Sequence, residues 1–335
     1  MVNVKNIPTI TFFCELQINE LKELFTNNQT ISQLQKINAN VSMGLQDFSP
    51  ERAAIVKKLT RAGIPVSAWL LLPKDQGYWT SLDTVAETVH CYQNFKEWTQ
   101  KNKLQWAAIG LDIEPRIDRI QILSSYWYRY LPQFLTRLLS PNKFSNREAE
   151  LRSLVNMIRL DGYAVETYNI PFVIEERKAD SRILTKIFGT PPLDADREVL
   201  MLYSSSFGKY GDAILWSYAH QADAIGLGST GGGVELADGQ PMQSMRWMDL
   251  RRDLLIAKDF TQHVYIFSLE GAVLNGYLER MVNFDWNEAV ILPEKTGNQI
   301  TCLRKIIQGA LQYLSHPVEI LLSIFLFSLL FKKKK

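Results

Sequence analysis

The sequence predicts an α/β protein, a (β/α)8 or TIM barrel followed by a C-terminal hydrophobic helix. Two observations carry this. Short apolar runs alternate with amphipathic segments eight times over residues 1–295, the order in which a parallel barrel is wound. The stretch after the first run, Leu16-Gln17-Ile18-Asn19, is no dinucleotide fingerprint, which an open doubly wound sheet would want there.

The elements follow in chain order. Thr9 to Leu16 is the first strand, and Ile31 to Ile37 is helical. Val41 to Leu45 is the second strand, ahead of Gln46 and Asp47. Ser49-Pro50-Glu51-Arg52 supplies an N-cap and a proline at the first helical position, and Gly63 closes that helix. Ile64 to Leu72 is the third strand, stopped by Pro73. Ser81 to Asn102 is a long helix, with Val85, Val89, Tyr92, Phe95 and Trp98 at helical spacing. Trp106 to Ile113 is the fourth strand. Helices are expected over Asp118–Leu139 and Asn146–Leu160, and the fifth strand over Tyr163–Tyr168. A short helix at Ser181–Phe188 leads to the sixth strand, Glu198–Tyr203. Asp212–Gln221 is helical, and Ala222–Leu227 is the seventh strand. Met242–Lys258 is helical, His263–Glu270 is the eighth strand, and Val273–Met281 is a final helix.

Composition narrows the function. With 335 residues and 46% apolar content, the chain buries a sizeable core. The net charge is +2, and four lysines stand together at Lys332–Lys335, so the rest is near neutral and lacks the basic stripe of a nucleic-acid binder. Three distant cysteines, Cys14, Cys91 and Cys302, have no CxxC spacing and are expected as free thiols in a reducing compartment. Met1–Glu15 has no apolar core of a signal peptide. The four histidines form no HxH or HExxH pair, so no metal is expected. No strand carries an inward lysine for a Schiff base, and no GxSxG elbow is present. No cofactor is expected.

Carboxylates and aromatic rings remain at the strand ends: Glu15, Asp47, Trp69, Asp112, Glu114, Glu166, Tyr168, Tyr203 and Glu270, with Ser229. The fourth strand is the most informative. Its apolar run ends in Asp112 and Glu114, one residue apart, before Pro115. Strand alternation aims both acids the same way. Acids and stacking rings are the equipment of glycoside hydrolysis, with Trp69, Tyr78 and Trp79 as candidate sugar platforms. Glu114 is the expected general acid, and an ionised Asp112 would keep it protonated. Glu166 or Glu270 is a candidate nucleophile or base.

The fourth strand resembles that of the family 18, chitinase-like glycoside hydrolases, whose signature there is DxxDxDxE. This chain reads Ala107-Ala108-Ile109-Gly110-Leu111-Asp112-Ile113-Glu114, with Ala107 and Gly110 in place of the first two aspartates. The resemblance implies that Glu114 protonates the glycosidic oxygen and that Asp112 orients a substrate acetamido group acting as internal nucleophile. The family's sixth strand often reads MxYD. Here Met201-Leu202-Tyr203-Ser204 keeps a tyrosine that would support the acetamido carbonyl. Phe267 replaces the tryptophan usual on strand eight. The implied catalytic set is Glu114, Asp112 and Tyr203, with Glu270 and Glu166. The expected substrate contacts are Glu15, Trp69, Tyr168, Phe267 and Ser229, and the expected ligand is a carbohydrate or sugar-like small molecule.

Two alternatives stay open. One is a carbohydrate-binding barrel without turnover. The other is an enzyme of a phosphorylated small molecule, cradled by backbone amides of the Gly228–Gly233 loop.

Residues 296–335 are expected to form a separate helical, membrane-associating segment. Ile320–Phe331 is apolar except for Ser323 and Ser328, shorter than the ~20 residues that span a bilayer. Extension back to Ile306 crosses Gln312, His316 and Glu319. A shallow anchor at the membrane surface through residues 306–335 fits, with the lysines at anionic headgroups and the barrel on the cytoplasmic side.

Overall fold

The computed structural model describes residues 7–119, 136–137, 141–233 and 244–315. Eight parallel strands close into a barrel in sequence order: β1 Thr9–Cys14, β2 Asn40–Leu45, β3 Val66–Leu70, β4 Ile109–Ile113, β5 Val165–Asn169, β6 Arg197–Met201, β7 Ala224–Gly228 and β8 His263–Phe267. The barrel is sealed where β1 meets β8, from Thr9 opposite His263 to Phe13 opposite Phe267. Every strand was legible in the sequence as a short apolar run.

Alternation along each strand sorts side chains into two cores. Val41, Met43 and Leu45 of β2, like Ile109, Leu111 and Ile113 of β4, join the layer between barrel and helices. Phe13, Trp69, Tyr168, Val199, Met201, Tyr265 and Phe267 fill the barrel itself. Their size requires small neighbours. A Cβ on Gly110 would stand 2.2 Å from the Tyr168 hydroxyl, so glycine at this β4 position makes room for a β5 ring.

The helices are α1 Ile18–Thr26, α2 Asn28–Lys36, α3 Pro50–Arg61, α4 Val85–Asn102, α5 Pro141–Leu160, α6 Val173–Lys178, α7 Ile183–Phe188, α8 Gly211–Ala219, α9 Trp247–Ala257, α10 Leu269–Leu274, α11 Tyr277–Val282 and α12 Glu294–Leu314. Helix α3 begins as its sequence directs, with Ser49 Oγ accepting from the Arg52 amide at 3.2 Å. It ends at Gly63, whose φ is +76°. Helices α1 and α6 were not among those read from the sequence. The expected helix over 118–139 falls almost wholly outside the described residues.

Strand eight stops at Phe267, three residues short of its expected end. Ser268 instead caps α10, its Oγ accepting from the Gly271 amide at 3.1 Å, so Glu270 belongs to the first turn of α10. Helix α12 packs on α6 and α8. Its buried Arg304 donates to Glu175 at 2.6 Å and lies 3.4 Å from the Tyr218 ring centroid. Part of the stretch expected as a separate segment is therefore fastened to the barrel. Among the described residues no helix is long and apolar enough to cross a membrane. The apolar run Ile320–Phe331 and Lys332–Lys335 lie outside the described residues.

Candidate active site

At the carboxyl ends of the strands a cavity of about 270 Å³ opens. Glu15, Asp112 and Glu114 reach it from β1 and β4, Trp69 and Trp79 from β3 and its loop, Tyr203 from beyond β6, and Phe267 from β8. Phe13, Tyr168 and Met201 floor it. Among the described lining residues there is no lysine, arginine or histidine. The site is acidic, and its walls are aromatic.

The two β4 acids share this cavity, as strand alternation requires. Asp112 is 3% exposed; Glu114 is partly exposed. Burial pushes the Glu114 carboxyl up to about 7. Burial, then the charges of Glu114 and Glu15, raise the Asp112 carboxyl well above the ordinary aspartate range. The Trp69 indole eases the ionisation of Asp112, yet neither Asp112 Oδ1 nor Trp69 Nε1 completes a hydrogen bond. Two buried polar atoms facing one cavity without protein partners suit a ligand that supplies a donor and an acceptor.

The aromatic wall is built by mutual contact. Phe13 meets Trp69 edge-on at 5.2 Å and Tyr168 at 4.8 Å. Tyr203 stacks on Phe267 with centroids 5.7 Å apart. The Tyr203 phenol is held protonated by burial and by the charges of Asp112, Glu114 and Glu15. Tyr78 sits behind the wall at φ +69°, a costly backbone for an aromatic residue. That backbone lets its hydroxyl donate to Glu15 and accept from Gln46 Nε2 at 2.9 Å.

Four of the strand-end candidates stand elsewhere. Glu166 lies a layer lower in the barrel, where Arg197 donates to it at 3.0 Å, Tyr265 at 2.7 Å and Tyr168 at 3.2 Å. Glu270 is packed beneath Gly232 and accepts weakly from the Glu15 amide at 3.4 Å. Burial raises its carboxyl to about 7, but it does not line the cavity. Ser229 is wholly buried, with its amide donating to Ser205 Oγ at 2.7 Å and its own Oγ accepting from the Gly231 amide at 3.0 Å. Asp47 is held by the buried Arg52 at 2.6 Å.

The glycine loop is also turned inward. Besides the amides of Ser229 and Gly231, that of Thr230 donates to the Phe267 carbonyl at 2.7 Å. These three amides are engaged within the protein, and the nearby cavity is acidic.

Sequence reasoning missed Phe13, Met201, Ile170, Phe172 and Phe207 of the lining. A signal existed for Phe13, which stands two residues before Glu15 and so faces inward with it. Phe172 and Phe207 come from loops, where no periodicity marks direction.

No family model matches the chain, and no curated protein matches it. Its barrel is similar to solved structures. The glycoside hydrolase domain of PgaB (BpsB) from Bordetella bronchiseptica is 10% identical, with a TM-score of 0.49, over 85% of this chain and 100% of that one. A GH18 chitinase from Pseudoalteromonas aurantia is 8% identical, with a TM-score of 0.44, over 83% and 100%. An L-ribulose 3-epimerase is 10% identical, with a TM-score of 0.41, over 93% and 98%. At these identities the likeness is one of fold alone.

Proposed function

We propose that this chain is a glycoside hydrolase-like enzyme in which Glu114 protonates the glycosidic oxygen. The observation that carries the reading is the pairing of Asp112 and Glu114 in one aromatic-walled cavity, with burial holding Glu114 protonated to near neutrality. A neutral carboxylic acid at that pH can give up its proton as the glycosidic bond breaks. Positive charge then grows at the anomeric carbon, and the acidic cavity favours it.

Neither Glu166 nor Glu270 lines the cavity, so neither is placed to attack the sugar. We assign the nucleophile to an acetamido group of the substrate. Its carbonyl oxygen bonds to the anomeric carbon while the leaving oxygen takes the Glu114 proton. Asp112 Oδ1, which lacks a protein partner, accepts the acetamido N–H. The Tyr203 hydroxyl, kept protonated, donates to the acetamido carbonyl. Water activated by Glu114, now a carboxylate, opens the cyclic intermediate and restores the acid.

A panel of aryl glycosides with and without a 2-acetamido group tests this. Turnover restricted to the acetamido sugars and lost in Glu114→Gln supports it. Binding of the sugars with no turnover by the intact chain favours the non-catalytic carbohydrate-binding reading.

A further inference from the structure

We infer that a second cavity, beside the carboxylate pair, binds an oxyanion, namely an acidic substituent on the glycan that the pair holds. The inference rests on the reading of the first cavity as a glycan site. The second cavity, of about 340 Å³, is lined by Arg116, Arg119, Arg137 and Arg147, with Asp83 and Phe144.

Three guanidinium groups converge there on one carboxylate. Arg119 donates to Asp83 at 2.5 Å, Arg137 reaches both Asp83 oxygens at 3.1 and 3.0 Å, and Arg147 donates at 3.2 Å. Arg116 pairs with Asp118 at 3.1 Å. Four cationic side chains thus face two carboxylates.

A purely structural ion pair would need one arginine on Asp83. Adding two more sets like charges side by side, at side chains only 13 to 35% exposed, where water screens them weakly. Each guanidinium carries about five N–H donors against about four lone-pair sites on a carboxylate. Asp83 therefore cannot use the donors gathered around it. A planar or tetrahedral oxyanion can, through the two-pronged geometry that arginine favours.

Position connects this site to the first. Glu114 lines one cavity and Arg116 the other, two residues along the chain. Trp79 and Asp83 repeat the relationship four residues apart. The Thr80 amide donates to the Asp112 carbonyl at 2.9 Å, fastening the shared wall. With ~3.8 Å between consecutive Cα atoms, the backbones of Glu114 and Arg116 are separated by a span that one sugar unit and its substituent can bridge. The charges also set the direction of binding. An acidic substituent meets no cation among the described residues of the first cavity and is drawn to the arginines of the second.

Isothermal titration of the full chain tests the inference, with inorganic sulfate and with matched neutral and uronic-acid tetrasaccharides as probes. Arg147→Gln is expected to weaken sulfate binding and to lower the acidic-to-neutral affinity ratio about tenfold, the loss of one charged hydrogen bond. Arg119→Gln, on another segment, is expected to do the same, with circular dichroism confirming that both variants fold. Unchanged sulfate affinity and an unchanged ratio in both variants would overturn the site. Sulfate binding that needs Arg147, together with equal affinity for acidic and neutral chains, would overturn its link to the glycan. Sulfate binding that needs Arg147, with neither tetrasaccharide bound, would overturn the glycan reading of the first cavity as well.

Discussion

Gly110 of β4 and Tyr168 of β5 are fitted to one another: a Cβ at position 110 would lie 2.2 Å from the tyrosine hydroxyl and 2.6 Å from its Cζ. That hydroxyl is itself held, by Ser42 at 2.8 Å and by Glu166 at 3.2 Å, so the ring cannot yield without losing buried hydrogen bonds. No side chain fits at position 110 while Tyr168 keeps this place. Tyr168 also lines the cavity, opposite Asp112 on the neighbouring strand.

Gly110→Ala is therefore expected to destabilise the barrel by about 1–3 kcal/mol, the usual cost of overpacking a filled core. Urea denaturation checks this through the midpoint at constant slope. A midpoint equal to that of the wild type would mean that Tyr168 moves aside freely.

Stability is expected to depend on pH through Glu114. Its carboxyl stands at about 7 in the folded chain, against ~4.3 when unfolded. The folded state holds the proton more tightly between those values, so stability falls as pH rises through that window. Glu114→Gln removes this loss. At pH 8 the variant should exceed the wild type by on the order of 2 kcal/mol relative to their difference at pH 4, allowing for partial exposure. Parallel stability curves for the two proteins would contradict the raised carboxyl.

Helix α12 is expected to depend on Arg304. Removing this side chain leaves Glu175, 2% exposed, with Tyr218 as its remaining partner at 2.7 Å. Breaking such a pair from one side costs about 3–5 kcal/mol. Arg304→Ala should accordingly lower stability and raise amide exchange across residues 294–314. Exchange unchanged in α12 would show that its apolar contacts alone secure it.

The tail is expected to bring the protein to anionic membranes. Co-sedimentation with phosphatidylserine vesicles should be strong for the full chain and lost on truncation after Ser315. Equal sedimentation of both would place the membrane contact elsewhere, and none for either would remove it.

The barrel was legible because its strands are short apolar runs punctuated by Pro, Gly or acidic residues, and local pattern decides them. The Asp112–Glu114 pair was legible for the same reason, since alternation alone puts both on one face. Glu166 and Glu270 misled because strand period does not tell depth in the barrel or where a strand stops. Glu166 is inward but one layer down, against Arg197. Glu270 follows a strand that ends at Phe267, because Ser268 caps a helix. The arginines on Asp83 come from segments far apart in sequence, and no spacing rule joins them.

The central claim is that Glu114 acts as a general acid, and leaving-group dependence tests it most directly. Values of kcat/KM are compared for wild type and Glu114→Gln on aryl 2-acetamido glycosides with a poor and a highly activated leaving group. A general acid matters when the leaving oxygen is basic, where its loss costs about 10²–10⁴-fold. The predicted result is a loss of that size on the poor leaving group and a far smaller one on the activated one. Equal losses on both, or none, would contradict the assignment of Glu114 as the acid.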